Sequence, residues 1–258
     1  MRQDHVAGHD DLEEQYWWFV ARRRIIGDLV RRRLAQRGSP VARPRLLEIG
    51  CATVGMLKEF ASLGDVVGID ASEFMVARAR AKTGVDVRLG RLPDDLPVES
   101  GSWDVIALLD VLEHIERDEA ALQVVRRLLR PGGMLILTVP ALQFLWTGHD
   151  VVNEHWRRYD RDGLQRLLRR AGLEVEKLSY FNSFLFPPIA AVRLWNRLRP
   201  RPPRPDMRRE APWLNRVLTA AFSAERYWLR WGRFPVGVSL LAVATASGPE
   251  DNLGSVPQ

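Results

Sequence analysis

Residues 45–55 read Arg45-Leu46-Leu47-Glu48-Ile49-Gly50-Cys51-Ala52-Thr53-Val54-Gly55, an apolar run that ends in a turn of small residues. The next residues, 56–60, have the apolar spacing of a helix. A strand that leads through a tight turn into a helix points backbone N–H groups and the positive helix end at the carboxyl edge of a parallel sheet. This segment therefore predicts an α/β fold that binds the polar end of a nucleotide-like ligand.

A second apolar run narrows the class of ligand. Residues 66–69 are Val-Val-Gly-Ile, and Asp70 follows them at the end of the predicted second strand. A carboxylate at the tip of that strand accepts hydrogen bonds from both hydroxyls of a ribose. The spacing between Gly50 and Asp70 therefore indicates a ligand that contains a nucleoside.

Five segments, in order, resemble the motifs of the class I S-adenosylmethionine (SAM)-dependent methyltransferases of the small-molecule, ubiquinone-methylase-like branch. These segments are 47–51, 67–72, 102–106, 110–115 and 129–135. The resemblance implies a biosynthetic enzyme that binds SAM and releases S-adenosylhomocysteine (SAH). It also implies a Rossmann-like, mostly parallel seven-stranded sheet with helices on both faces, an antiparallel last strand and a helical insertion before that strand.

The resemblance also implies which residues contact the cofactor. These residues are Glu48, Gly50, Cys51, Ala52, Gly55, Asp70, Ala71, Met75, Leu92, Leu109 and Asp110. Asp70 is expected to hold the ribose, Met75 to lie beside the adenine, and Asp110 to lie where the methyl group is transferred. The family usually has Gly-Cys-Gly-Thr-Gly at the first turn, whereas Ala52 and Val54 replace two of these glycines here and restrict the backbone. A methyltransferase-like fold that no longer binds SAM is the alternative.

The length of the chain fits one α/β domain with added segments, since 258 residues bury a full core. We expect a single domain at 1–248. It would comprise an N-terminal cap helix at 1–40, a cofactor-binding core at 41–182, a helical substrate cover at 183–233 and a closing strand at 234–247. The tail at 249–258 is expected to be disordered.

The composition limits the kinds of site and partner. Cys51 is the single cysteine, so no internal disulfide and no cysteine-rich zinc site is expected. The N-terminus lacks an apolar leader, which predicts a cytoplasmic protein. The net charge is +6 and the basic residues are mostly arginine, which suits phosphate and carboxylate partners. We attribute most of this excess to genome composition and expect no nucleic-acid partner, because the arginines form no long stripe interleaved with aromatic residues.

The candidate catalytic residues lie after the predicted fifth strand, 134–140. Residues 146–160 contain His149, His155 and Tyr159 together with acidic residues and paired arginines. Loops at the carboxyl ends of parallel strands face the ligand crevice, so these groups are expected on the substrate side of the sheet.

Three interpretations of this loop remain open. His155 or His149 has the ordinary pKa of a general base and would remove a proton from the acceptor. The two histidines and Asp150 offer metal-ligand atoms, but they have no recognised spacing and SAM chemistry needs no metal, so no metal site is predicted. The acids and arginines would otherwise pair with each other and order a lid.

The leading functional prediction is transfer of a methyl group from SAM to a small-molecule acceptor or to one linked to a lipid or glycan. An RNA methyltransferase and a SAM-binding protein without methyl transfer are the alternatives. The segment 181–233 is rich in Phe, Trp, Leu and Arg and is interrupted by Pro187-Pro188. It predicts a cover for an amphipathic or anionic acceptor, or peripheral contact with an anionic membrane. Packing on the sheet or a homodimer interface is the alternative.

Overall fold

The computed structural model describes residues 14–36, 43–51, 54–198 and 210–246. Seven strands form one sheet: β1 (Arg45–Ile49), β2 (Asp65–Asp70), β3 (Asp86–Leu89), β4 (Trp103–Leu109), β5 (Leu129–Pro140), β6 (Leu173–Phe181) and β7 (Ser239–Ala246). Their order across the sheet is β3-β2-β1-β4-β5-β7-β6. Strand β7 runs antiparallel to both neighbours, β5 and β6. The predicted mostly parallel sheet with an antiparallel last strand is confirmed.

Helices cover both faces of this sheet. They are α1 (Trp17–Gln36), α2 (Val54–Ala61), α3 (Glu73–Thr83), α4 (Asp118–Leu128), α5 (Gly148–Val152), α6 (Arg161–Arg170), α7 (Phe186–Leu198) and α8 (Pro212–Leu229). One core includes Leu122 of α4 and Leu164 of α6, and the other includes Ile25 of α1 and Phe222 of α8. All seven residues of β4 are buried between the two cores. Its nearly continuous apolar sequence is what burial on both faces requires.

Three local expectations are corrected by the structure. Pro187 and Pro188 begin α7 instead of interrupting the apolar segment, because the first turn of a helix has no N–H partner to lose. The fifth strand begins at Leu129 instead of residue 134 and includes 131–133, where the pairing with β4 is irregular. The last strand begins at Ser239 instead of residue 234.

Helix α8 packs against α1 on one face of the sheet. The Asn215 side chain accepts a hydrogen bond from the Trp17 backbone N–H at 2.8 Å, and the Trp17 and Phe222 rings meet edge to face. This helix of the predicted insertion therefore covers the sheet directly. Within the described ranges, no helix has both the length and the apolar character that a membrane span needs. The expected N-terminal cap before residue 14, the linker at 199–209 and the tail lie outside the described residues.

A buried carboxylate joins α8 to the start of α7. Glu225 is fully buried and accepts hydrogen bonds from the backbone N–H groups of Ser183 and Phe184 at 2.6 and 2.8 Å. Burial raises the pKa of Glu225 to about 7, and these hydrogen bonds offset only part of that effect. The folded protein therefore holds this group protonated at pH values where an unfolded chain ionises it.

We expect Glu225 to lower the free energy of unfolding as pH rises from about 4.5 to about 7. In this window the unfolded chain releases the proton while the folded chain keeps it, so stability falls with pH and then levels off. The loss is at most about 3–4 kcal/mol, since one pKa unit corresponds to about 1.4 kcal/mol. Urea denaturation across this range should show Glu225→Gln gaining stability relative to wild type as pH rises. The exposed Glu174→Gln on β6 is the matched control, and a difference for Glu225→Gln that does not change with pH would contradict the expectation.

Candidate active site

The turn after β1 requires glycine for two independent reasons. Gly50 has φ +78°, a conformation that side chains disfavour, and a Cβ there would lie 2.3 Å from Cγ2 of Val111. The Gly50 N–H donates to the Ile69 carbonyl at 2.8 Å, which ties the turn to β2. The turn at the end of β1 therefore accepts only glycine, because the Val111 side chain lies where a Cβ would be.

Asp70 ends the neighbouring strand at the same edge. Its residue is 8% exposed, and its carboxylate accepts a hydrogen bond from the Ser72 N–H at 2.9 Å. Ser72 in turn caps α3 by accepting from the Met75 N–H. The start of α3 therefore fixes the Asp70 side chain beside the Gly50 turn, as the spacing of the two residues predicts.

The end of β4 carries an ion pair that the sequence did not predict. Asp110 has φ +58° and pairs with Arg22 of α1, whose residue is 4% exposed. The Arg22 guanidinium also donates to the Leu109 carbonyl at 3.3 Å and lies 4.5 Å from the centre of the Trp18 ring. Helix α1 therefore closes the sheet edge at the position expected for methyl transfer. The aromatic-then-arginine order in α1 is the sequence signal for this contact.

The other predicted cofactor residues differ in how far they are exposed. Glu48 lies buried on β1 and Ala71 is exposed after β2. Met75, Leu92 and Leu109 are buried apolar side chains at the ends of their segments.

Cys51 and Gly55, two predicted cofactor residues, are in close contact with other side chains of the protein. Cys51 is fully buried and packs with Leu57 and Val76, so its side chain belongs to the core. Burial raises the pKa of its thiol, and the charges of Glu48 and Asp70 raise it further. A Cβ on Gly55 would lie 2.1 Å from a guanidinium nitrogen of Arg23, which occupies the space above that glycine. Ala52 lies outside the described residues.

A buried carboxylate organises the loop after β5. Asp150 is fully buried and accepts from Arg158 at 2.8 and 2.9 Å and from the Thr147 N–H at 2.8 Å. It also bonds to Nδ1 of His155 at 3.0 Å. Burial alone would raise the pKa of Asp150, but the hydrogen bonds from His155 and Arg158 hold it below its usual range. This geometry supports the interpretation in which acids and arginines order the loop.

The histidines of the site lie together against a buried glutamate. The His114 and His155 rings are perpendicular with centres 4.7 Å apart, and the His149 ring lies 6.3 Å from that of His155. One ligating atom each from Glu113, His114 and His155 lies within 4.8 Å of the others, so these three groups have the chemistry to hold a metal ion. The sequence predicted no metal site and missed Glu113, because its partner His155 is distant along the chain.

Tyr159 takes a different place from the histidines. It is 6% exposed, and its hydroxyl lies 3.1 Å from the Asp118 carboxylate and 3.4 Å from the Leu112 carbonyl. Burial raises its pKa, and Asp118 raises it further. The hydroxyl ties the loop to the chain after β4, and this geometry does not support its predicted catalytic role.

A sequence profile of a methyltransferase domain matches residues 19–178, from α1 into β6. The chain belongs to this family. The resemblance to class I SAM-dependent methyltransferases is therefore confirmed, as is SAM as the cofactor of the family. A Mycolicibacterium smegmatis protein named probable S-adenosylmethionine-dependent methyltransferase is 34% identical over 171 residues, 64% of this chain and 62% of that one.

Other similar proteins match different shares of this chain and of their own lengths. A ubiquinone biosynthesis O-methyltransferase of Ruegeria pomeroyi is 33% identical over 188 residues, 65% of this chain and 73% of that one. Three curated relatives, the Mycolicibacterium protein among them, are spanned over only 45% to 62% of their lengths. A Haloferax volcanii protein solved in complex with the Trm112 methyltransferase activator has a TM-score of 0.59 at 19% identity, covering 95% of each chain, which shows the shared fold.

Proposed function

We propose that the chain transfers a methyl group from SAM to a small-molecule acceptor. The observation that supports this proposal most directly is the convergence of Gly50, Asp70 and Asp110 at the carboxyl ends of three adjacent strands. Fold alone would not suffice, because one fold hosts many reactions. The family match and this convergence together support methyl transfer.

The residues at this edge fit the proposed cofactor. The glycine turn at the end of β1 suits the polar end of the cofactor, and the Asp70 carboxylate suits two ribose hydroxyls. SAM, when bound, supplies a methyl group on an already activated sulfonium. A bond then forms between the acceptor atom and the methyl carbon, while the carbon–sulfur bond breaks and leaves its electron pair on sulfur. The protein positions the reactants, and the Arg22–Asp110 pair beneath Trp18 helps to exclude water.

The proposed cofactor position is tested by its effect on SAH affinity. We expect Asp70→Ala to weaken SAH binding by about 1.5–3 kcal/mol, since charge-assisted hydrogen bonds to the ribose are lost. Calorimetry should show unchanged affinity for Asp65→Ala, an exposed acid at the opposite end of the same strand. Equal SAH affinity of folded Asp70→Ala and wild type would refute the placement.

The acceptor class is identified by labelled-methyl transfer from SAM to cell extracts separated into small-molecule, lipid and nucleic-acid fractions. Label in the small-molecule or lipid fraction supports the proposal. Label in the nucleic-acid fraction would instead indicate an RNA methyltransferase. SAH binding without label in any fraction would indicate a SAM-binding protein that does not transfer methyl groups.

His155 suits the role of general base better than His149 does. The Asn153 amide donates to Nε2 of His149 at 3.1 Å, which engages the lone pair that a base would need. Asp150 instead bonds to Nδ1 of His155, which leaves the Nε2 lone pair to accept a proton. We expect His155→Ala to reduce turnover by about 10²–10⁴-fold at unchanged SAH affinity, and His149→Ala to have a smaller effect. Equal turnover of both variants and wild type, in the labelled-methyl assay, would leave the loop with an ordering role alone.

A surface at the end of α8 supports the proposed amphipathic or anionic partner. Trp228 and Trp231 are exposed there, Trp231 by 90%. Trp231 also lines a cavity of about 230 Å³ between α1, α8 and β6. The charged lining residues are the cations Arg32, Arg33, Lys177, Arg226 and Arg230 and one acid, Asp28, which pairs with Arg32 and Arg230. Aromatic side chains beside a cationic cavity suit the headgroup region of an anionic membrane.

We propose that this surface contacts anionic membranes peripherally. Flotation with anionic vesicles at low salt should recover wild type but not Trp231→Ala, because the interfacial aromatic anchor is lost. Trp156→Ala, which changes an exposed tryptophan of the loop after β5, is the matched control. Recovery should fall at high salt and with neutral vesicles. Failure to float with either vesicle type would exclude the membrane and leave a homodimer, measured by light scattering, as the use of this surface.

A further inference from the structure

Glu113, His114 and His155, which we call the His–Glu cluster, join two segments that are remote along the chain. Glu113 and His114 lie in the short turn after β4, and His155 lies in the loop after β5. One ligating atom from each lies within 4.8 Å of the other two. We propose that the His–Glu cluster binds one divalent transition-metal cation, with a coordination position left open for an oxygen of the methyl acceptor.

One oxygen of the cluster's carboxylate has no hydrogen-bond partner. Glu113 is 1% exposed, and among the described residues its Oε2 accepts no hydrogen bond. Burying such an atom is costly unless it is paired. A bound cation would supply the contact that this oxygen lacks.

Both histidines have the outer contacts of metal ligands. Nδ1 of His155 bonds to the Asp150 carboxylate at 3.0 Å, and His114 forms a hydrogen bond with the backbone of Asn153. Metal-bound histidines almost always donate their second ring N–H to a carboxylate or a backbone carbonyl. Each ring therefore keeps one nitrogen for the cluster. Arg158 holds Asp150 in place, so the orientation of His155 is fixed from two layers away.

The donor set selects the class of cation. Two imidazoles and one carboxylate suit Zn²⁺ or a similar first-row ion, whereas Mg²⁺ and Ca²⁺ prefer all-oxygen sites. Three protein ligands also leave the open position that is typical of catalytic zinc. Bonds of about 2.1 Å place tetrahedral ligand atoms roughly 3.4 Å apart, so small side-chain rotations would close the cluster on an ion.

The position of the cluster gives the cation a use in the proposed reaction. Asp110, expected beside the transferred methyl group, leads directly into the short turn that carries Glu113 and His114. A hydroxyl bound to the cation would therefore be acidified next to the methyl donor. This consequence rests on the proposed methyl transfer, whereas cation binding does not. Coordination also uses the Nε2 lone pair of His155, so the cation would replace direct proton removal by that residue.

The test measures cation binding without SAM. Untagged full-length protein, stripped with a chelator, is titrated with Co²⁺ while its visible absorption is recorded. We expect one equivalent of Co²⁺ to bind and to be displaced by Zn²⁺. His155→Ala and Glu113→Gln should each weaken Co²⁺ binding by at least about tenfold. Glu154→Gln, an exposed carboxylate beside His155, is the matched control and should bind as wild type does.

Circular dichroism identifies the variants that fold. If Glu113→Gln does not fold, the comparison of His155→Ala with wild type still tests the proposal. No Co²⁺ spectrum in wild type, or equal spectra in wild type and folded His155→Ala, would overturn the proposal. Methyl transfer is measured separately from cation binding, in the labelled-methyl assay. Co²⁺ binding in a protein that transfers no methyl group would refute the proposed function while supporting the site. Turnover lost on chelation and restored by Zn²⁺ supports the catalytic use of the cation, and turnover unaffected by chelation would refute that use.

Discussion

The parallel pairing of β1 with β2 and β4 is the constraint on which the site depends. Parallel strands end at the same edge, so this pairing brings Gly50, Asp70 and Asp110 together although they are far apart in sequence. The turn at this edge requires glycine, because Gly50 has φ +78° and the Val111 side chain lies where a Cβ would be. A substitution at Gly50 would thus disturb backbone and packing at once.

Much of this edge was predictable because it follows from local patterns. Apolar runs that end in Gly50 and Asp70 give both the strands and the residues at their tips. The arrangement of the histidines was not predictable in the same way. Whether His155 meets His114 depends on the path of the loop after β5, which the buried Asp150 sets through Arg158 and Thr147. The spacing of residues along the chain does not predict the path of that loop.

Helix α1 shows a similar limit of prediction. Its aromatic and arginine residues indicated a cap, but the pairing of Arg22 with Asp110 requires α1 to lie across the end of β4. That position depends on α8, which packs on the other side of α1 and meets it through Asn215 and Phe222. The insertion before β7 therefore acts on the site indirectly, by holding α1 over the edge. Substitutions on the inner face of α8 would reach the site through this helix.

Two buried carboxylates beside the histidines, Asp150 and Glu113, differ in the hydrogen bonds that they accept. Asp150 is surrounded by a guanidinium, an imidazole and a backbone N–H, and its pKa falls below the usual range despite burial. Glu113 is equally buried, but among the described residues its Oε2 has no hydrogen-bond partner. The protein thus surrounds one carboxylate with donors and leaves one oxygen of the other available to a cation. Since the two histidines direct ring nitrogens at this second carboxylate, a cation satisfies all three groups where a proton satisfies one.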